Sequence, residues 1–173
     1  MSHLHYAKPR RLLHWTFAAV VLWATLSGYA SFLLQPPAEI KQTLAFINVS
    51  LTTLLVPLFV LRLLYMLRHP APAAPAHQSA VERKLVQAGH AALLVTLGTV
   101  LFSGVLMMSR PIDVFGLQLP HPLQDPAAIG FFEDLHHYSC LALALLVAGH
   151  IAAVILHQLR GHGVLKRMLP KRP

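Results

Sequence analysis

Leu135-His136-His137-Tyr138-Ser139-Cys140-Leu141-Ala142-Leu143-Ala144-Leu145-Leu146-Val147-Ala148-Gly149-His150 is the stretch that decides how this chain is read: an apolar run with an imidazole near either end. Carried on to Leu159 it contains no Asp, Glu, Lys or Arg. That length exceeds the roughly 20 residues a helix needs to cross a hydrocarbon core of about 30 Å. Ionisable groups are costly in such a setting and are functional candidates by default. His136 and His150 stand fourteen positions apart. At about 100° per residue they return to within roughly 40° of one another on one helical face, about 21 Å apart along the axis. One then lies in each half of the bilayer, a spacing that suits two stacked cofactors.

Three further segments have the same character: Leu12 to Leu34, Leu44 to Leu67 and Leu85 to Met108. The chain is 55% hydrophobic and 12% charged, whereas soluble proteins carry roughly a quarter charged residues. The expected fold is all-α, a transmembrane four-helix bundle in which residues 1–173 form a single membrane domain. Pro57 is expected to kink the second span, and Arg62 to snorkel its guanidinium into the headgroups. His69-Pro70-Ala71-Pro72-Ala73-Ala74-Pro75 reads as an extended surface connector. The basic flank before Leu12 resembles a secretory signal superficially. The apolar run is too long for one, however, and Trp23 and Tyr29 occupy its distal half, so it is expected to be retained as a span. The single cysteine, Cys140, excludes an internal disulfide and any cysteine-based zinc or iron–sulfur site.

A net charge of +8 raises nucleic acid as a partner, but the basic residues flank apolar runs instead of forming a soluble face with stacking aromatics, which excludes it. They are topology signals. Lys8, Arg10 and Arg11 precede the first span; Arg62, Arg68, Arg83 and Lys84 surround the second connector; Arg160, Lys166, Arg167, Lys171 and Arg172 follow the last span. Lys41 and Arg110 alone fall at the other end, where Glu39, Asp113, Asp125, Glu133 and Asp134 gather. Both termini are therefore expected to face the cytoplasm. The third connector, with Pro111, Phe115, Pro120, Pro122 and Pro126, is long enough to fold over the external mouth and to carry a short helix before the fourth span.

Imidazole is a standard axial ligand, no Cys-x-x-Cys-His attachment motif is present, and the spans lack carboxylates for a di-iron site. Noncovalent haem b is the cofactor that fits this donor set. His14 opens the first span at the depth of His150, because the first and last spans run in opposite directions, and the two are expected to pair. At the external depth, the position of the second span that should supply a partner for His136 reads Phe46-Ile47-Asn48-Val49-Ser50, without histidine. The bland alternative is that these histidines serve as interhelical hydrogen-bonding groups. His90 is read as structural, His137 and His157 as interfacial, and Met107 and Met108 as packing residues.

Leu13-His14-Trp15, Arg62-Leu63-Leu64, Gly89-His90, Gly104-Val105-Leu106-Met107-Met108, the His136 and His150 pair, and Leu165-Lys166-Arg167-Met168-Leu169-Pro170-Lys171-Arg172 occur in this order along the chain. Together they resemble the bacterial cytochrome b561 family, small four-helix dihaem cytochromes of the inner membrane, over essentially the whole sequence. The resemblance implies that His14 and His150 are the axial ligands of the cytoplasmic-side haem and that His136 is one ligand of the external-side haem. The family's fourth ligand falls on Asn48, whose amide is a poorer donor to iron than imidazole. Three outcomes follow: a five-coordinate haem on His136, a replacement ligand such as Met107 or Met108, or no haem there. A retained but altered haem is the favoured expectation.

The resemblance further implies one-electron exchange with ubiquinone or another quinone, membrane lipid as surroundings, and a redox protein as a further partner. Some members oxidise superoxide at the expense of ubiquinone. Here an anionic substrate would meet Lys41 and Arg110 against five carboxylates, a field that opposes it. Two other classes stay open: a haem-b anchor for a dehydrogenase or hydrogenase, and a haem-free scaffold or transporter.

Overall fold

The computed structural model describes residues 8–69 and 79–161. Most of the proline-rich connector and the C-terminal segment Leu165–Arg172 lie outside the described residues. Four long helices are present: α1 (Lys8–Leu34), α2 (Ala38–Arg68), α3 (Ala80–Leu106) and α4 (Pro126–Leu159). Each is long and apolar enough to cross a membrane. The most extensive pairings are α3 with α4 and α1 with α2, followed by α2 with α3.

α3 and α4 begin earlier than their apolar runs because polar caps, not hydropathy, start them. Ser79 accepts from the Glu82 N–H at 3.2 Å while the Glu82 carboxylate accepts from the Ser79 N–H at 2.8 Å, a reciprocal capping box that starts α3 at Ala80 instead of Leu85. Asp125 accepts from the Ala128 N–H at 3.0 Å, and Pro126 fills the first helical position, where a missing N–H costs nothing. At about 1.5 Å per residue, the 34 residues of α4 outreach the bilayer core, so its first turns, carrying Glu133 and Asp134, project beyond it. Terminations are equally local. Gln35 takes a left-handed φ of 45° after α1, its side-chain amide donating to the Phe32 carbonyl at 2.7 Å. Gly161 ends α4 at φ 79°. The three residues Gln35, Pro36 and Pro37 separate α1 from α2 and make them antiparallel neighbours. α2 continues as helix through Pro57.

The short helix expected in the third connector is replaced by an antiparallel hairpin of β1 (Ile112–Val114) and β2 (Leu117–Leu119). Phe115 and Gly116 form its two-residue turn with φ 50° and 94°. Positive φ at both central positions is the type I′ geometry that matches strand twist. Asp113 fixes the turn by accepting from the Gly116 N–H and from the Gln118 amide, each at 2.7 Å. Ile112 and Val114 are buried, and the hairpin docks against α2.

The core consists of Phe17, Leu55, Phe59, Leu97, Leu101 and Leu143, one or two residues from each helix. Inside a membrane, lipid competes for apolar surface, so close packing and interhelical hydrogen bonds must hold helices together. Gly98 allows this: a Cβ there would lie 3.0 Å from the Phe59 ring. Leu22, Leu26, Phe32, Leu145 and Ile155 are exposed, which in this setting means that they face lipid.

Candidate metal centre

Each helix brings one nitrogen-bearing side chain to the end of the bundle where the described chain starts and finishes, called here the basic end. His14 comes from the second turn of α1, Arg62 from near the end of α2, His90 from the third turn of α3, and His150 from the last third of α4. Counted along their helices, all four lie about 9–15 Å from that end. The His14 and His150 ring centroids are 6.5 Å apart, and those of His90 and His150 are 5.7 Å apart.

Two imidazoles bonded to opposite sides of one metal at about 2 Å have centroids about 6 Å apart, so both distances suit a shared metal. Packing separates the two pairs. α3 and α4 have the most extensive contact in the molecule, whereas α1 and α4 are not among the extensive pairings. Of these two pairs, the one between α1 and α4 is the less closely packed. His14 and His150 are both partly buried, while His90 belongs to a stretch, residues 80–91, that is exposed throughout. Beside His150, a Cβ on Gly149 would meet no atom within 4 Å. Haem b therefore fits this end by its donor set.

Arg62 does not snorkel outward as expected from its position near the helix end. Its guanidinium carbon sits 5.2 Å from the centroid of the Phe17 ring, which is 2% exposed. The cation lies over a buried aromatic face, an arrangement that holds it inside the bundle. Trp15 meets His14 edge-on at 5.6 Å. His90, read from sequence as structural, is thus brought beside His150. His157 is partly buried further along α4.

The opposite, hairpin end is built differently. His136 turns towards α3, with Nδ1 3.1 Å from the Val100 carbonyl and 3.3 Å from Ser103 Oγ, and Nε2 3.4 Å from Cys140 Sγ. Gly104 permits this approach, because a Cβ there would fall 3.0 Å from His136 Cε1. Asn48 turns the other way, its amide 3.0 Å from Ser27 Oγ on α1. A hydroxyl has one proton, and Ser27 Oγ also lies 2.7 Å from the Trp23 carbonyl. With that proton on Trp23, the Asn48 NH2 donates to Ser27, an end-for-end rotation of the amide that leaves its shape unchanged. Ser50, fully buried, donates to the Asp113 carbonyl at 3.0 Å and accepts from the Phe115 N–H at 3.2 Å, tying α2 to the hairpin. His137 is exposed. Among the described residues no group of three or more His, Cys, Asp or Glu forms a metal cluster.

The sequence pointed to Asn48 and His136 but gave no role at this end to Ser27, Ser50, Ser103, Gly104 or Cys140. The available signal was a run of small and hydroxyl-bearing residues inside spans, which marks close helix contact. Cys140 also stands at the i+4 position from His136.

The family described as prokaryotic cytochrome b561 matches residues 5–171. A relative from Escherichia coli (strain K12), named cytochrome b561 homolog 2, is 31% identical, with 91% of this chain and 87% of that protein covered.

Proposed function

The chain belongs to the prokaryotic cytochrome b561 family, which makes it a haem-b electron-transfer protein of the bacterial inner membrane, and we propose that His14 and His150 hold the haem and that the quinone pool is its redox partner. The haem-free scaffold or transporter falls away with that membership. The observation that carries the proposal is the convergence of His14, Arg62, His90 and His150 at one depth, one from each helix.

Haem bound between His14 and His150 supplies reversible one-electron transfer. The chain supplies the rest. α1 and α4 supply the imidazoles of His14 and His150, which would hold the iron. Arg62, held over Phe17, places a permanent cation at the end where the two carboxylates of a b-type haem need compensation. The exposed strip of α3 over residues 80–91, with His90 in it, offers an open side on which a quinone headgroup can meet a hydrogen-bonding imidazole from the lipid phase. Superoxide is the less favoured substrate, because the hairpin end presents Glu39, Asp113, Asp125, Glu133 and Asp134 against Lys41 and Arg110. An anchor role beneath a dehydrogenase or hydrogenase would use the same haem and differ in taking its electrons from a bound subunit. Both termini are proposed to face the cytoplasm, on the charge distribution alone.

Purified protein should show a Soret band and a sharp reduced α-band, and a quinol should reduce it in detergent. His14→Ala and His150→Ala should each remove or convert that low-spin spectrum. A colourless preparation, or unchanged spectra in both variants, would refute the assignment. Reduction by a quinol analogue no faster than background would sink the quinone reading while leaving the haem ligands standing.

A further inference from the structure

The two ends of this bundle are not equivalent, and the difference bears on where electrons can go. At the basic end, the partly buried imidazoles of α1 and α4 meet edge-on with centroids 6.5 Å apart. At the hairpin end, the corresponding positions have turned apart and found other partners. Asn48 bonds to α1 and His136 to α3. Neither faces the other across the α2–α4 gap, where a metal would need them.

Ser103 Oγ donates to the Thr99 carbonyl, so towards His136 it can only accept, and the Val100 carbonyl is an acceptor as well. Nδ1 must therefore carry the proton, and Nε2 keeps its lone pair. That lone pair is the one a metal would take, and a backbone carbonyl on Nδ1–H is also how ligating histidines are oriented; what sets this ring apart is that Nε2 lies 3.4 Å from the Cys140 thiol and that α2 offers no histidine opposite it. Ser50 closes the mouth above through its two bonds to the hairpin, and buried Ser139 donates back to the His136 carbonyl at 3.0 Å. No side-chain nitrogen or oxygen buried among the described residues lacks a hydrogen-bond partner. The hairpin end is thus satisfied by its own side chains.

Electrostatics points the same way independently. A b-type haem carries two carboxylates. At the hairpin end they would join Glu39, Asp113, Asp125, Glu133 and Asp134, opposed only by Lys41 and Arg110, whereas at the basic end Arg62 already lies inside the bundle. Like charges there add a repulsion that solvent weakens and that Lys41 and Arg110 only partly offset.

We propose that this chain is a one-haem cytochrome whose hairpin end is closed by a hydrogen-bonded clasp, so that electrons enter and leave at the basic end alone and do not cross the membrane through the protein. The clasp comprises Ser27 with Asn48, Ser50 with the hairpin, and Ser103, Gly104 and Cys140 around His136. The inference rests on the reading of the basic end as the haem site. Its consequence is a change of job relative to a dihaem bundle. Donor and acceptor must both reach the same face, and the electron makes a round trip within one leaflet: an electron given to a haem held there by a one-electron donor would leave to a one-electron acceptor at that same face.

The test uses the full-length protein purified in detergent and its pyridine haemochrome, which gives haem per polypeptide. One haem is expected, with a low-spin spectrum that is lost in His14→Ala, persists in His136→Gln and does not change when carbon monoxide is added to the reduced protein. Two haems would overturn the clasp while leaving the basic-end site intact. No haem would overturn the basic-end site and the clasp with it. A single haem lost in His136→Gln and kept in His14→Ala, or a carbon monoxide complex that His136→Gln abolishes, would also overturn the proposal. The wild-type stoichiometry decides the matter if either variant fails to fold. In oriented proteoliposomes, ferricyanide should reoxidise the reduced haem rapidly from the face bearing the termini and slowly from the hairpin face; equal rates would refute one-sided exchange.

Discussion

Replacing Gly104 by alanine probes the contact on which the closed end depends. An alanine Cβ would sit 3.0 Å from His136 Cε1 and 3.2 Å from Nδ1, closer than ring and methyl carbons tolerate. The ring cannot slide freely, because Val100, Ser103 and Cys140 hold it on three sides. Overpacking of this kind costs about 1–3 kcal/mol. Alanine regains about 1 kcal/mol of helix propensity over glycine. The net effect is destabilisation of about 0–2 kcal/mol by the same two terms. Gly130→Ala is the matched control, since a Cβ there meets nothing within 4 Å, and it should stabilise by up to about 1 kcal/mol. The two variants should therefore differ by about 1–3 kcal/mol. Unfolding by sodium dodecyl sulfate in mixed micelles, followed by helical circular dichroism, measures that difference. The haem spectrum should not change in Gly104→Ala, whose contact lies about 21 Å along α4 from His150. Equal stability of the two alanine variants would show that His136 is not held against α3, and the account of the hairpin end would fail.

Ser50→Ala should leave the Phe115 N–H without its partner, at a cost of about 1–3 kcal/mol; faster amide exchange over residues 112–119, with no change elsewhere, would be its signature, and unchanged protection would refute the tie to α2. Arg62→Gln should retain the haem but lower its midpoint potential, because a cation favours the reduced iron. At an effective dielectric of about 20, a unit charge some 10 Å away is worth about 1.7 kcal/mol, or on the order of 70 mV. A potential that stays fixed or rises would remove Arg62 from the site. Reporter fusions at both ends should read cytoplasmic, and an external C-terminus would overturn the charge argument.

Hydropathy was enough to find four spans, because a 30 Å barrier imposes a length that Leu12–Leu34 and its three counterparts meet openly. The basic end was legible for a related reason: helix direction and residue count put His14 and His150 at one depth before any contact was known. Arg62 was placed at the right depth and pointed the wrong way, since depth follows from the sequence but the choice between headgroup and Phe17 is made by tertiary packing. Helix starts were missed by five to nine residues at α3 and α4 because Ser79 and Asp125 cap polar turns that carry no apolar signal. The hairpin hid among prolines; its turn is Phe115-Gly116, and a phenylalanine at positive φ is not a residue that advertises a type I′ turn. Asn48 announced a departure at once, but where its amide and the His136 ring would go instead depended on Ser27, Ser103 and Gly104, each unremarkable alone.

The hairpin's attachment to α2 has a consequence for how the molecule is assembled during synthesis. α1 and α2 can enter the bilayer as a pair as soon as Pro36 and Pro37 have turned the chain, and α3 can follow. Ser50 finds both of its hydrogen-bonding partners, Asp113 and Phe115, some sixty residues further along the chain. That latch lies ahead of α4 in the chain, so the connector leading into the last helix is tied to a helix made much earlier.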